Sequence, residues 1–111
     1  MKTESRQLKR VDLVKVSGRV DSSNAHELEK EIKGIMGRGQ YRLVLDLSEL
    51  SFISSGGIRV LITGAKTTRR WNRGDLRLAG LPKQIHETFE LAGLTPVFRI
   101  YPSTVEAVGS F

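Results

Sequence analysis

Two adjacent serines, Ser54 and Ser55, stand between an apolar stretch and a segment of helical periodicity. Serine is a preferred N-cap residue, because its hydroxyl accepts a hydrogen bond from an amide of the first helical turn. The sequence therefore predicts that one of the two serines caps a helix. The other serine could accept a phosphate, a change of roughly −1.5 to −2 charges. The dipole and the free N–H groups of a helix N-terminus would tolerate that charge.

Two other kinds of chemistry at this stretch have less support. A serine nucleophile needs a neighbouring base, but the sequence has no Gly-x-Ser-x-Gly elbow, and the only histidines are His26 and His86. Gly56 and Gly57 could cradle a phosphate, but the spacings of the common nucleotide-binding loops are missing. Close packing or a tight turn explains these glycines better, so weak nucleotide binding is the most we expect from them. We expect no enzyme activity.

No metal or cofactor site is expected elsewhere. The chain has no cysteine, which excludes thiolate ligands, and two histidines are too few for a histidine-rich metal site. Asp21 and Asp46 are the carboxylates closest to the predicted strand ends, but nothing in the sequence pairs them for acid–base catalysis. We expect Asp46 to hydrogen-bond within its loop and Asp21 to mark the entry to the first helix.

Composition indicates one globular domain. The chain has 111 residues, of which 39% are hydrophobic and 27% charged. No apolar run reaches the ~20 residues that a membrane-spanning helix needs, and residues 1–6 do not resemble a signal peptide. We therefore expect a cytoplasmic protein with no membrane partner.

The net charge of +6 favours acidic partners without choosing among them. The sequence contains neither a long basic run nor an aromatic-rich basic patch, so nucleic acid is not an expected partner. A nucleotide- or nucleic-acid-binding domain remains the third hypothesis, on charge alone.

Periodicity predicts the elements that position the serines. Strands are predicted at residues 4–8, 11–18, 42–47, 76–79 and 97–100. The first would be a short edge strand, and Gly18 would end the second. Helices are predicted at residues 25–36, 56–71 and 82–92, with a terminal turn after Ser103. Strands that alternate with helices predict an α/β fold, in which helices pack on a mixed, mostly parallel sheet of four to five strands.

Particular residues are expected to cap or fill these helices. Asn24 with Glu27, and Ser103 with Glu106, have capping-box spacing. The predicted core positions of the second and third helices are Ile58, Leu61, Ile62, Ala65, Ile85, Phe89 and Ala92. A basic stripe on the second helix consists of Arg59, Lys66, Arg70 and Arg73. Such a stripe is usually a solvated face, but beside the serines it could contact an acidic partner.

The segment from Asp46 to Ile58 resembles the signature of STAS domains, the fold of bacterial anti-sigma factor antagonists. Gly18-Arg19-Val20-Asp21 and Leu91-Ala92-Gly93-Leu94 resemble two further motifs of that family. The likeness covers nearly the whole chain, so residues 1–111 are interpreted as one STAS domain.

The resemblance implies a phosphorylation-controlled signalling protein that regulates transcription. Ser55 matches the serine that is phosphorylated by a partner kinase of the GHKL type, which is itself the anti-sigma factor. The unphosphorylated protein would bind this kinase and free a sigma factor, and a phosphatase would reset the phosphorylated one. The expected partner-binding residues are Asp21, Ser54, Ser55, Gly56, Gly57, Arg59 and Lys66.

Three positions depart from the family pattern. Ser54 occupies the place of an aspartate, Gly56 that of a serine or alanine, and Arg59 that of a glycine. Ser54 thereby becomes a rival phosphate acceptor. These departures support an alternative, a non-phosphorylated STAS interaction subunit of a transporter or a signalling complex.

Overall fold

Six strands and four α-helices make up the computed structural model, which describes every residue from Met1 to Phe111. The strands are β1 (Lys2–Gln7), β2 (Asp12–Val20), β3 (Arg42–Asp46), β4 (Leu50–Ile53), β5 (Asp75–Ala79) and β6 (Ile100–Tyr101). The helices are α1 (Ala25–Gly37), α2 (Ser55–Arg69), α3 (Lys83–Leu91) and α4 (Thr104–Gly109), and a 3-10 turn over Arg70–Asn72 follows α2.

The sheet is mixed and mostly parallel, in the order β1-β2-β3-β5-β6. Only β1 pairs antiparallel, as the edge strand next to β2. The fourth strand, β4, pairs with the last residues of β2 beyond the point where β3 ends. These observations confirm the predicted α/β fold. The structure has six strands and not the predicted four to five, since it contains β4, which was not predicted.

Strand β3 is buried on both faces, as its unbroken apolar run predicts. Leu43 and Leu45 belong to the larger core, which α1, α2 and α3 cover, whereas Val44 belongs to a smaller core under α4. All three side chains are fully buried. The sheet therefore has one thickly covered face and one thinly covered face.

Three strands were predicted with wrong bounds, the first of them β1, which covers Lys2–Gln7 and not residues 4–8. Gly18 does not end β2, because its φ of +85° accommodates a register shift and the strand continues to Val20. Residues 97–99 do not form a strand, and β6 begins only at Ile100. Phe98 is nevertheless buried, with its ring 5.7 Å from that of Phe89. The apolar pattern at residues 97–100 therefore reflects the packing of Phe98 in the core and not the pairing of a strand.

Two helix ends also differ from the prediction. Helix α2 stops at Arg69 and not at Trp71, whose φ of 56° is left-handed. Helix α3 stops at Leu91, so that Ala92 is an exposed C-cap residue and not a core residue. The terminal helix α4 starts as predicted, since the Ser103 hydroxyl accepts a hydrogen bond from the Glu106 amide.

A buried ion network ties the end of α2 to β5. The Asp75 carboxylate accepts hydrogen bonds from Arg69 Nε at 2.6 Å and from Arg77 Nε at 3.0 Å. Arg77 is itself buried and also donates to the Ser110 hydroxyl. Removing one partner of a buried ion pair leaves the other charge without compensation, which is costly.

We expect Asp75→Asn to lower the free energy of unfolding by about 3 kcal/mol, because it leaves Arg77 buried without its counter-charge. Urea unfolding of the variant and the parent chain measures this loss. Glu87→Gln, at an exposed site, is the control and should stay within about 0.5 kcal/mol of the parent. An Asp75→Asn variant as stable as the control would show that the network contributes little.

Candidate functional site

Most of the predicted site residues lie at the edge of the sheet where β2 and β4 end. These parallel strands are in register at Val20 and Ile53, so Asp21 and Ser54 follow them side by side. The Ser54 amide donates a 2.8 Å hydrogen bond to the Val20 carbonyl and extends the pairing by one step. Helix α2 begins at the next residue, Ser55. The structure thus brings Asp21, Ser54 and Ser55 together.

The two serines have different environments. Ser54 is the N-cap of α2, and its Oγ accepts a hydrogen bond from the Gly57 amide at 3.2 Å. This confirms that one of the pair caps the helix. Ser55 is exposed, and its hydroxyl takes part in no hydrogen bond within the protein. The amides of Ser55 and Gly56 likewise have no hydrogen-bond partner in the protein, so the start of α2 carries free donors as well as a free hydroxyl.

The two glycines also have different roles. A Cβ on Gly57 would lie 2.7 Å from Ile53 Cγ1 and 2.8 Å from Val20 Cγ1, closer than carbon atoms can approach without displacement. Gly57 therefore lets the first turn of α2 rest directly on β2 and β4. A Cβ on Gly56 would meet only Ser54 Oγ, at an ordinary 3.6 Å. The prediction of close packing is confirmed for Gly57 alone.

Asp21 organises the loop between β2 and α1. Its carboxylate accepts hydrogen bonds from the Ser23 hydroxyl at 2.6 Å and from the Ser23 amide at 2.9 Å. These bonds, led by the one from the hydroxyl, hold the pKa of Asp21 below its ordinary value. Asp21 is therefore ionised at neutral pH, beside the strand end that leads into Ser54.

The predicted capping box at Asn24 is wrong. Asn24 is the N-cap of α1, but its side chain makes no capping bond to the helix. Its Oδ1 accepts from the Asp21 amide at 2.9 Å, and its Nδ2 donates to the Arg19 carbonyl at 3.0 Å. Asn24 is thus committed to holding the strand end, which fixes the backbone that carries Asp21.

The predicted basic stripe is shorter than expected. Arg59 and Lys66 are exposed on α2, with Arg59 four residues after Ser55. Lys66 follows Ser55 by eleven residues, about 16 Å along the helix axis. Arg70 and Arg73 lie outside α2, and Arg73 turns back to donate to the Thr67 carbonyl and to stack on Tyr41 at 3.8 Å. Only Arg59 lies within one turn of the serines.

Two further residues of this edge were not predicted as site residues. Phe52 is 39% exposed, and the Arg19 guanidinium lies 4.2 Å from the centre of its ring. The two residues face each other in the pairing of β2 with β4. An aromatic residue two positions before a serine pair was the available signal. Its exposure, however, depends on a strand that the sequence pattern did not reveal.

Comparison with known proteins identifies the family. The STAS domain family model matches residues 2–107. BtrV of Bordetella bronchiseptica, provisionally named an anti-sigma factor antagonist, is 38% identical over 96 residues, which span 86% of this chain and 82% of BtrV. The chain belongs to the STAS domain family, as the resemblance predicted.

Solved structures share the whole fold. The crystal structure of an anti-sigma factor antagonist from Mycobacterium paratuberculosis has a TM-score of 0.87 at 25% identity, covering 98% of this chain and 92% of that one. At 15% identity, SpoIIAA has TM-scores of 0.83 in its unphosphorylated form and 0.76 in its phosphorylated form. Both forms cover 98% of this chain, which covers 95% and 98% of theirs. In this chain no helix is both long and apolar enough to cross a bilayer.

The two glycines provide a matched pair of substitutions. Gly57→Ala should lower the free energy of unfolding by about 1–3 kcal/mol, because the new methyl group must displace Ile53 or Val20. Gly56→Ala should leave stability unchanged or raise it slightly, since the site is open and alanine favours the helix. Thermal and urea unfolding of both variants test this difference. Equal effects would mean that Gly57 is not required for close packing.

An NMR titration should find the pKa of Asp21 below the ordinary aspartate value. Because the folded-state pKa is depressed, ionised Asp21 stabilises the fold above the unfolded-state pKa, and this contribution is lost as pH falls through the folded-state pKa. Ser23→Ala removes the hydroxyl donor and should raise the Asp21 pKa, whereas Ser22→Ala, at an exposed neighbour, should not. An identical Asp21 titration in both variants would contradict the assigned cause.

Proposed function

We propose that this chain is an anti-sigma factor antagonist whose binding to its anti-sigma factor is switched by phosphorylation of Ser55. The observation that carries the proposal is the division of roles between the serines. Ser54 commits its hydroxyl to the cap of α2, and Ser55 presents a free hydroxyl at the surface. BtrV and the mycobacterial relative carry the name of anti-sigma factor antagonist.

A phosphate on Ser55 is compatible with the fold. The amides of Ser55 and Gly56 have no protein partner, and the helix dipole favours negative charge at this end of α2. Arg59 lies four residues along the helix, at a spacing where opposite charges attract. The phosphorylated chain is therefore expected to keep its structure and to change mainly in surface charge.

The same charge would oppose binding by a partner. The proposed contact surface contains Asp21, Ser54, Ser55, Gly56, Arg59 and Lys66, together with Phe52 and Arg19. Gly56 has no side chain, so a partner could approach the first turn of α2 closely. Gly57 is buried, so it would position the helix without touching the partner. Burying a phosphate dianion for which the partner's surface offers no counter-charge costs ~2–5 kcal/mol.

The expected partner is a GHKL-type serine kinase that acts as the anti-sigma factor in the cytoplasm. The unphosphorylated chain would bind it and release a sigma factor for transcription. Phosphorylation would end the contact, and a phosphatase would restore it. Each step requires Ser55 to be reachable by another protein, and the exposed position of Ser55 meets that requirement.

Incubation with the cognate kinase and ATP, followed by mass mapping, should place phosphate on Ser55. The phosphorylated chain should bind the kinase at least about 30-fold more weakly than the unmodified chain, because a buried dianion has no partner. Ser55→Ala should abolish modification. Ser54→Ala should retain it, at a loss of about 1 kcal/mol of stability from the missing cap.

Two results together would refute the switch: no phosphate on either serine, and unchanged kinase binding by Ser55→Asp. Phosphate found on Ser54 alone would show that Ser54, and not Ser55, is the acceptor.

Ser54 in the place of the family aspartate favours a second candidate, a STAS interaction subunit that is not phosphorylated. In that role the same surface would dock permanently on a transporter ATPase or within a signalling complex. A pull-down with the unmodified chain separates the candidates. Recovery of a GHKL-type kinase supports the switch, and recovery of a transporter ATPase supports the second candidate.

A further inference from the structure

A polar cleft of about 480 Å³ lies at the opposite end of α2 from Ser55, where β5 begins. The fifteen residues of α2 separate the two ends by about 22 Å. Arg69, Arg77, Arg99 and Asn72 line the cleft, and Asp75 is the only acidic residue that does. Three arginines against one aspartate give the lining a net charge of +2.

The single acid in this cleft is already fully engaged. Asp75 Oδ1 accepts from Arg69 Nε and from the Leu76 amide, and Oδ2 accepts from Arg77 Nε. The arginines do not use all of their hydrogen-bond donors. Arg69 uses one terminal nitrogen on the Val97 carbonyl, and Arg77 uses one on the Ser110 hydroxyl. The remaining terminal nitrogen of each, and the whole Arg99 guanidinium, make no hydrogen bond within the protein, although the Arg77 guanidinium also stacks on the Phe111 ring at 4.0 Å.

Strained backbone forms the rim of the cleft. Trp71 and Asn72 have φ angles of 56° and 58°, a left-handed conformation that asparagine tolerates but that a bulky residue such as tryptophan rarely adopts. Trp71 is 78% exposed, so burial of its ring does not explain the strain. The turn is held by Arg73, which donates to the Arg70 and Thr67 carbonyls. Strain of this kind concentrates at ligand sites, and here it places Asn72 in the lining.

We propose that this cleft binds the phosphate group of a small phosphorylated ligand. The guanidinium fork matches phosphate oxygens with paired hydrogen bonds, which a lysine ammonium cannot do, and every cation that lines the cleft is an arginine. Low-dielectric walls strengthen the attraction, since Arg77 and Asp75 are buried. The volume suits a small molecule, because ligand clefts commonly measure about 300–1,000 Å³.

Titration of the 15N-labelled chain with pyrophosphate at constant ionic strength tests the proposal. The amides of residues 72–77 and 97–99, and the Nε–Hε groups of Arg69, Arg77 and Arg99, should shift and saturate. Arg99→Gln should weaken binding about tenfold, because it removes a charged donor and leaves the Asp75 network intact. Asn72→Gly keeps the left-handed backbone while removing the amide, and it should also weaken binding.

Arg6→Gln is the matched control, since it removes an exposed arginine on β1, outside the cleft, and should leave the affinity unchanged. The titration is then repeated at a second ionic strength. If the signals of all arginines shift alike and change with salt in the same way, the attraction is not specific to the cleft and the proposal is overturned. Saturation confined to residues 54–58 would overturn it as well, since it would report the helix N-terminus at Ser55. ADP and oligothymidine are titrated in the same way. Tighter binding of oligothymidine than of ADP would also overturn the proposal, because it would show that the cleft binds nucleic acid and not a small ligand. A failure of the cleft to bind pyrophosphate would leave the proposed phosphorylation of Ser55 unaffected.

Discussion

The position of α2 depends on the approach of Gly57 to Val20 and Ile53. A Cβ at residue 57 would lie within 2.8 Å of both side chains, so only glycine lets the helix begin this close to the sheet. The same two residues pair β2 with β4, and the Val20 carbonyl also accepts the Ser54 amide. One local contact therefore fixes three things: where β4 ends, which serine caps the helix, and which serine faces outward.

Much of the fold could be predicted because it is encoded locally. The unbroken run Leu43-Val44-Leu45 is enough to predict a strand buried on both faces, and the apolar positions of α1 recur at helical spacing. Strand β4 could not be predicted in the same way. It has only four residues, and its two buried ones are at its ends, so neither alternation nor length marks it. Its existence depends on pairing with Gly18–Val20, which is remote in sequence.

The site was predictable in its location and not in its details. A serine pair before a helical segment suffices to predict a capped helix, but the choice between Ser54 and Ser55 depends on the backbone geometry around residue 54. The basic stripe failed for a related reason. Helical spacing placed Arg70 and Arg73 on α2, whereas contacts of Arg73 with Thr67 and Tyr41 accompany a break that tertiary structure imposes. Net charge likewise gave no sign that three arginines line one cleft.

The family pattern has an aspartate where this chain has Ser54, and the exchange changes the charge of the site without changing its geometry. Aspartate and serine are comparable N-caps, so either residue can start α2 at the same place. They differ because an aspartate would add a negative charge directly before Ser55. With Ser54, the first turn of α2 contains no acidic residue, and the ionised acid next to it is Asp21, at the end of the neighbouring strand. A phosphate on Ser55 would then meet less repulsion within its own chain. The exchange therefore makes a phosphorylated Ser55 easier to accommodate, and what it removes is a carboxylate that a partner could have recognised.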